Sequence, residues 1–234
     1  MYSLIKRITD IFLSAIALLI LLPIFIPIII ILKFTAEGEV FYFQKRIGKD
    51  CKYFDIWKFA TMLKNSPNIG TGNITLRNDP RVTRIGSFLR KSKINELPQI
   101  INVLKGNMSI VGPRPTVKKH ADAYSNEIRD KIYSIQPGIT GIGSIVFRDE
   151  EELISQSDME PFEFYKKCII PYKAKVELWY HKNRSLITDF LIIFLTAWVI
   201  VFPNSNLLTK VFNDLPERPT SLILKEENVE AIAK

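Results

Sequence analysis

The sequence predicts an α+β protein held in a membrane by a broken N-terminal helix. Three observations set that expectation. Ile11–Leu32 (IFLSAIALLILLPIFIPIIIIL) runs for about 22 residues without a charge, the length that crosses a bilayer. Glu39–Lys58 has the aromatic and β-branched character of two strands around a turn. Asn95–Gly106 has the spacing of a short amphipathic helix.

The apolar run is no signal peptide, because it is too long and Phe34-Thr35-Ala36 puts a bulky residue where a small one is needed. Two readings of it stay open, a spanning helix and a re-entrant one. Pro23 and Pro27 lie one turn apart near its middle, and each removes a backbone donor. Lys6 and Arg7 precede the run, and Lys33, Lys45 and Arg46 follow it. Positive charge on both flanks gives no direction for crossing. A helix broken at these prolines that enters and leaves by the cytoplasmic face keeps both basic ends in the cytosol.

In the middle of the chain VFYFQ and YFDIWKF read as strands, with RIGKDCK between them as the turn. Asn65–Asn73 (NSPNIGTGN) reads as a polar loop, and Asp79-Pro80 as a turn leading into the basic segment RVTRIGSFLRKSK. Leu97, Ile100, Ile101 and Leu104 then form one apolar stripe, with Asn95 as N-cap, Pro98 in the first turn and Gly106 as the stop. A helix starting there presents unpaired N–H groups suited to a phosphate. Arg90 precedes it and Arg114 follows, held between Pro113 and Pro115. Two arginines at these places suit a diphosphate clamp, or they coat a surface while Asn95 only caps a helix.

Gln136-Pro137-Gly138 reads as a turn. Phe190–Phe202 is apolar over about 13 residues, which suits an interfacial helix or a core helix, and Pro203-Asn204 ends it. The polar tail from Asn213, with Pro216 and Pro219, is expected to extend loosely. The segments are therefore drawn at 1–36 for the membrane helix, 37–203 for the folded domain and 204–234 for the tail.

Composition narrows the function. The 234 residues suffice for a core, and 32 Lys+Arg against 24 Asp+Glu leave a formal charge of +8. That surplus suits an anionic membrane, a phosphorylated substrate or nucleic acid, but no nucleic-acid recognition motif is present. Cys51 and Cys168 are far apart, and His120 and His181 are isolated. This spacing argues against zinc sites, disulfide frameworks and Ser-His-Asp triads. P-loop, GxGxxG and HExxH patterns are also missing, and GIGSI around Ser144 lacks the Gly-x-Ser-x-Gly of a nucleophile elbow.

Taken in order, KRITDIFLS, GEVFYFQKRIGKDCKYFDIWKFATM, NDPRVTRIGSFLRK, NELPQIINVLKGNMSIVGPRP and QPGITGIGSI resemble the bacterial sugar transferases, the monotopic polyprenol-phosphate phosphoglycosyl transferases. The resemblance reaches to about Pro203. It implies a re-entrant helix broken near Pro23 and a compact α+β catalytic domain on the cytoplasmic face of the bacterial inner membrane. It implies transfer of a sugar-1-phosphate from a UDP-sugar to undecaprenyl phosphate, with Mg²⁺, giving a lipid-diphosphosugar and UMP and starting surface glycan assembly. It does not specify the sugar or an oligomeric state.

Carried over by position, the family's Asp-Glu pair is Asn95-Glu96 here, Arg90 and Arg114 fall on phosphate-binding positions, and Glu96 is the expected metal ligand. The family's nucleophilic Asp is thus an amide, which lacks the carboxylate charge of a nucleophile. Ala60 stands where the family usually has Arg, and Asn107 where it has Asp. Glu96 acts itself or activates the lipid phosphate, or the chain is a silent binding homologue, or Asn95 was introduced to trap a substrate. Because Glu96, Arg90 and Arg114 are all present, activity is expected. Sugar specificity is expected in Asn65–Asn73 and Ser144–Asp149.

Overall fold

The computed structural model describes residues 2–35, 37–66 and 79–222. It mixes helix with short sheets, as the α+β expectation holds. The chain divides into two compact units. One, here the membrane-helix unit, comprises Arg7–Lys45 and Phe54–Met108; the C-terminal unit comprises Met1–Lys6, Arg46–Tyr53 and Ser109–Lys234.

The membrane-helix unit is built on α1 (Tyr2–Phe34), which at 33 residues is about 50 Å of helix. It is long and apolar enough to cross a membrane by length and composition. The helix runs through Pro23 and Pro27 as one element. A proline removes one hydrogen bond, and turns on either side carry the ladder past it; its usual result is a kink.

One face of α1 packs on the rest of its unit. Phe25 and Leu32 are buried with Phe59 and Leu89, and Leu18, Leu21, Ile28 and Ile29 flank them. Phe25 meets Phe59 edge-on at 5.2 Å between ring centres, a favourable aromatic geometry. Near the other end, Arg7 donates to the carbonyls of Val103 and Leu104 at 2.6 and 2.9 Å. The opposite face leaves Leu19, Ile20, Ile24, Ile26 and Ile30 exposed.

β1 (Phe41–Ile47) and β2 (Tyr53–Phe59) pair as the expected two-stranded sheet. Their connection is tight, with Asp50 and Cys51 both in the left-handed region, which non-glycine residues seldom adopt. α2 (Arg84–Lys91) begins at Thr83, whose side chain accepts from the Gly86 N–H. Before it, Arg81 is buried in an ion pair with Asp79. α3 (Gln99–Lys105) ends at Gly106, in the left-handed conformation at φ 84°.

The stripe expected on α3 is rotated. Ile100 and Val103 are buried as core, while Leu97, Ile101 and Leu104 are only half-buried. Asn102 is fully buried because it stitches the helix to β2: its Oδ1 accepts from Trp57 N at 2.9 Å and its Nδ2 donates to Asp55 O at 2.8 Å.

The C-terminal unit carries the larger core. β3 (Ser109–Val111) and β4 (Gly138–Thr140) pair in parallel, Ser109 opposite Gly138 and Val111 opposite Thr140. Gly138 is therefore a strand residue and not the turn read from Gln136-Pro137-Gly138. A Cβ there would lie 2.1 Å from Gly112 N, so the close approach demands glycine. The unit also contains α4 (Lys118–Ala121), α5 (Asn126–Ile132), α6 (Ile142–Val146), α7 (Glu150–Ser155) and α8 (Pro161–Phe164). A π-helical turn, Tyr165–Ile169, leads into α9 (Ile170–Asn183).

α10 (Leu186–Val201) is capped by Ser185, whose hydroxyl accepts from Thr188 N. One face buries Ile192 and Leu195, whereas Ile187, Phe190, Phe194, Ile200 and Val201 are exposed. The helix thus has a core face and an uncovered apolar one. After α11 (Leu207–Val211) the tail does not extend loosely as far as Leu222. Phe212 and Leu222 are buried, the Tyr172 hydroxyl donates to Pro216 O at 2.9 Å, and Arg218 pairs with Asp149 at 2.6 Å. Two apolar anchors and one ion pair outweigh the polar composition that suggested a free tail. The last residues of the tail lie outside the described ones.

Candidate functional site

In the membrane-helix unit, α2 ends at Lys91 and the chain reverses through Lys93, which is left-handed at φ 58°. The next residues, Ile94–Glu96, make one turn of 3₁₀ helix packed on α2. Asn95 is therefore inside a turn and caps nothing, because α3 starts only at Gln99 and has no side-chain cap. The reading of a helix N-terminus as phosphate site is corrected accordingly. Seven residues make a short helix, and its first N–H groups lie beyond the Asn95-Glu96 pair.

The turn gives the two neighbours opposite environments. Asn95 is 7% exposed, and its Oδ1 has no hydrogen-bond partner. Leaving a buried acceptor unmatched costs about 1–3 kcal/mol, an expense that clusters at working sites. Glu96 is more open and holds an ion pair, its Oε1 receiving Lys58 Nζ at 2.8 Å. On α2, Arg90 Nε donates to Thr61 Oγ1 at 2.9 Å. Arg90, Asn95 and Glu96, picked from the sequence, thus share one unit and adjoining elements.

Pro113, Arg114 and Pro115 belong to the C-terminal unit, where the backbone is tied on both sides. Gly138 N donates to Pro113 O at 2.9 Å, and Ile47 N donates to Thr116 O at 2.8 Å. The prolines fix φ between these ties, so Arg114 projects from a rigid strap. It lines a cavity of about 190 Å³ together with Arg46, His120, Glu150, Lys173 and Glu177. Lys173 bridges Glu150. The His120 ring lies tilted against Tyr165 at 4.5 Å between ring centres, and burial holds its pKa below the ordinary imidazole value. Glu177 is buried, and desolvation pushes its pKa up to about 7 against the pull of Lys173.

The loop expected to set sugar specificity at Ser144–Asp149 is mostly not a loop. Ser144–Val146 finish α6, Phe147 is core, and Asp149 is engaged by Arg218. Most of Asn65–Asn73 lies outside the described residues.

Lys58, Thr61, Lys173 and Glu177 were missed. Lys58 had a signal, since strand alternation puts it on the face of buried Ile56, and a lysine there asks for a counter-charge. Lys173 and Glu177, four apart on a helix, mimic an ordinary surface pair. Nothing in the spacing marks them as buried.

A family model described as bacterial sugar transferase matches residues 1–203, and the chain belongs to that family. It is 35% identical over 202 residues to the UDP-N-acetylgalactosamine-undecaprenyl-phosphate N-acetylgalactosaminephosphotransferase of Aeromonas hydrophila, covering 86% of this chain and 44% of that protein. It is 35% identical over 198 residues to the UDP-glucose:undecaprenyl-phosphate glucose-1-phosphate transferase of Escherichia coli K12, covering 83% and 40%. Against the exopolysaccharide production protein ExoY of Sinorhizobium fredii it is 32% identical, covering 82% of this chain and 83% of that one. The chain spans less than half the length of the first two relatives.

Proposed function

We propose that this protein transfers a sugar-1-phosphate from a UDP-sugar to undecaprenyl phosphate, releasing UMP, and so begins assembly of a surface glycan. Family membership supports the reaction class. The observation that carries the reading is the Glu96 carboxylate, held by Lys58 beside the buried Asn95 amide.

Glu96 supplies the charge that Asn95 lacks. Acting as nucleophile, its oxygen attacks the β-phosphorus of the UDP-sugar and the phosphoanhydride bond to UMP breaks. The lipid phosphate then attacks the same phosphorus and frees the carboxylate. Acting instead on the lipid phosphate, Glu96 orients it for direct attack on that phosphorus. A phosphosugar adduct on Glu96, sought by mass spectrometry, separates the two. Lys58 fixes the carboxylate in either case, and Arg90 and Arg114 are assigned to the substrate phosphates.

Among the described residues no three metal-ligating side chains converge. Glu96 alone still fits Mg²⁺, which is commonly held by one or two carboxylates and the substrate's own phosphates. When bound, the ion would neutralise phosphate charge.

The membrane helix supports attachment to one face. Arg7 and Leu32, near its two ends, both anchor on the same folded unit. A crossing helix would separate them by about 30 Å of hydrocarbon. Entry and exit by the cytoplasmic face of the inner membrane then require a bend at Pro23 and Pro27. The uncovered apolar faces of α1 and α10 are the surfaces assigned to lipid.

A second reading, a catalytically silent binding homologue, rests on Asn95 itself. The test is formation of lipid-linked sugar from radiolabelled UDP-sugars and undecaprenyl phosphate. Turnover is expected from the natural chain and is expected to fall about a hundredfold or more in Glu96→Gln, with membrane association unchanged. Full activity of Glu96→Gln removes the proposed role.

A further inference from the structure

The cavity of about 190 Å³ in the C-terminal unit holds a feature that the transfer reaction does not use. Three cations line it, Arg46, Arg114 and Lys173, with two carboxyls, Glu150 and Glu177. Lys173 and Glu150 hold each other. Glu177 is 4% exposed, and its Oε2 is buried with no hydrogen-bond partner.

Its position is built in. A Cβ on Gly143 would lie 2.2 Å from Glu177 Oε1, so the glycine in α6 leaves the carboxyl the place it occupies. The cavity is smaller than the roughly 300–1,000 Å³ of drug-sized sites; it fits one group of a ligand. Guanidinium groups select an anion for that place, and an ionised Glu177 would oppose it.

We propose that this cavity is a phosphoryl subsite in which Glu177 takes up a proton as the anion enters, turning from an opposing charge into a neutral partner. The identity of the phosphoryl group, that of a uridine nucleotide, rests on the function proposed above; the proton coupling does not. A carboxyl that already exchanges its proton near pH 7 makes the change inexpensive. An incoming anion raises that pKa further, so uptake appears above pH 7, where the empty site is ionised, and vanishes well below it.

The lining histidine and tyrosines stay fixed across that range. Burial holds His120 below its usual value and therefore neutral. Burial likewise raises Tyr124, Tyr133 and Tyr165, which remain protonated. The second phosphate ionisation of a nucleoside monophosphate lies near 6, below the window.

The experiment is calorimetric titration of the full chain in lipid nanodiscs with UMP between pH 7 and 9, in buffers of differing ionisation heat. UMP affinity is expected to fall up to tenfold per pH unit, with uptake approaching one proton. Glu177→Gln is expected to bind more tightly than the natural chain at pH 9, with no pH slope and no uptake. UMP binding without uptake by the natural chain, or an unchanged slope in Glu177→Gln, overturns the proposal and leaves the transferase reading intact. Inorganic pyrophosphate binding with uptake, where UMP does not bind, keeps the subsite and removes the nucleotide. Binding of neither overturns the subsite. If Glu177→Gln does not fold, the heats of the natural chain alone decide.

Discussion

Two buried carboxyl groups of the C-terminal unit, Asp189 and Glu177, are 6% and 4% exposed yet live in opposite circumstances. Asp189 accepts from Tyr2 at 2.9 Å, from Lys6 at 2.8 Å and from Tyr180 at 2.7 Å. It ties the first turns of α1 to the start of α10. Glu177 leaves one oxygen without a partner and faces a cavity. The first group is satisfied and builds; the second is unsatisfied and is free to respond to a ligand. Burial alone does not distinguish structure from function, whereas the count of partners does.

Three substitutions sharpen or break that contrast. Asp189→Asn removes the counter-charge of Lys6 and is expected to cost about 3 kcal/mol of stability, read as a lowered denaturation midpoint at neutral pH. Little change would mean that the network is ornamental.

Glu177→Gln is expected to do the reverse. The folded pKa of about 7 stands above the unfolded value of 4.5. The group's contribution is therefore most favourable below pH 4.5 and is lost as pH rises through 7. By pH 8 the penalty is on the order of 3 kcal/mol, because each tenfold difference in proton affinity between the folded and unfolded chain is worth about 1.4 kcal/mol. The variant should thus be more stable than the natural chain at pH 8 and equal to it near pH 4.5. Equal stability at both values would show that the carboxyl is already matched.

Arg114→Lys is expected to have the smallest effect, raising the KM for UDP-sugar about tenfold. A lysine cannot make the two-pronged contact of a guanidinium, and the difference is about 1.4 kcal/mol. Unchanged kinetics would remove Arg114 from the phosphate grip.

The same contrast explains what the sequence revealed. The hairpin was legible because the aromatic and β-branched character of VFYFQ and YFDIWKF is a local signal, and so was α10, because its apolar run is continuous. Gly138 was misread because its strand partner, Ser109, lies 29 positions away, and parallel pairing leaves no local trace. Asn95 was misread as a cap because Lys93 adopts a left-handed turn that no lysine announces. Arg90, Glu96 and Arg114 were picked out by their order along the chain, as candidates. Lys58, Glu177 and the docked tail depend on contacts across the fold, which spacing does not encode.

Turnover by a chain that carries an amide at Asn95 is the claim on which the proposed function stands. Release of UMP from UDP-sugar and undecaprenyl phosphate, compared for the natural chain and for Asn95→Asp, tests it most directly. Measurable release by the natural chain is predicted; release by Asn95→Asp alone would contradict it and leave a silent homologue.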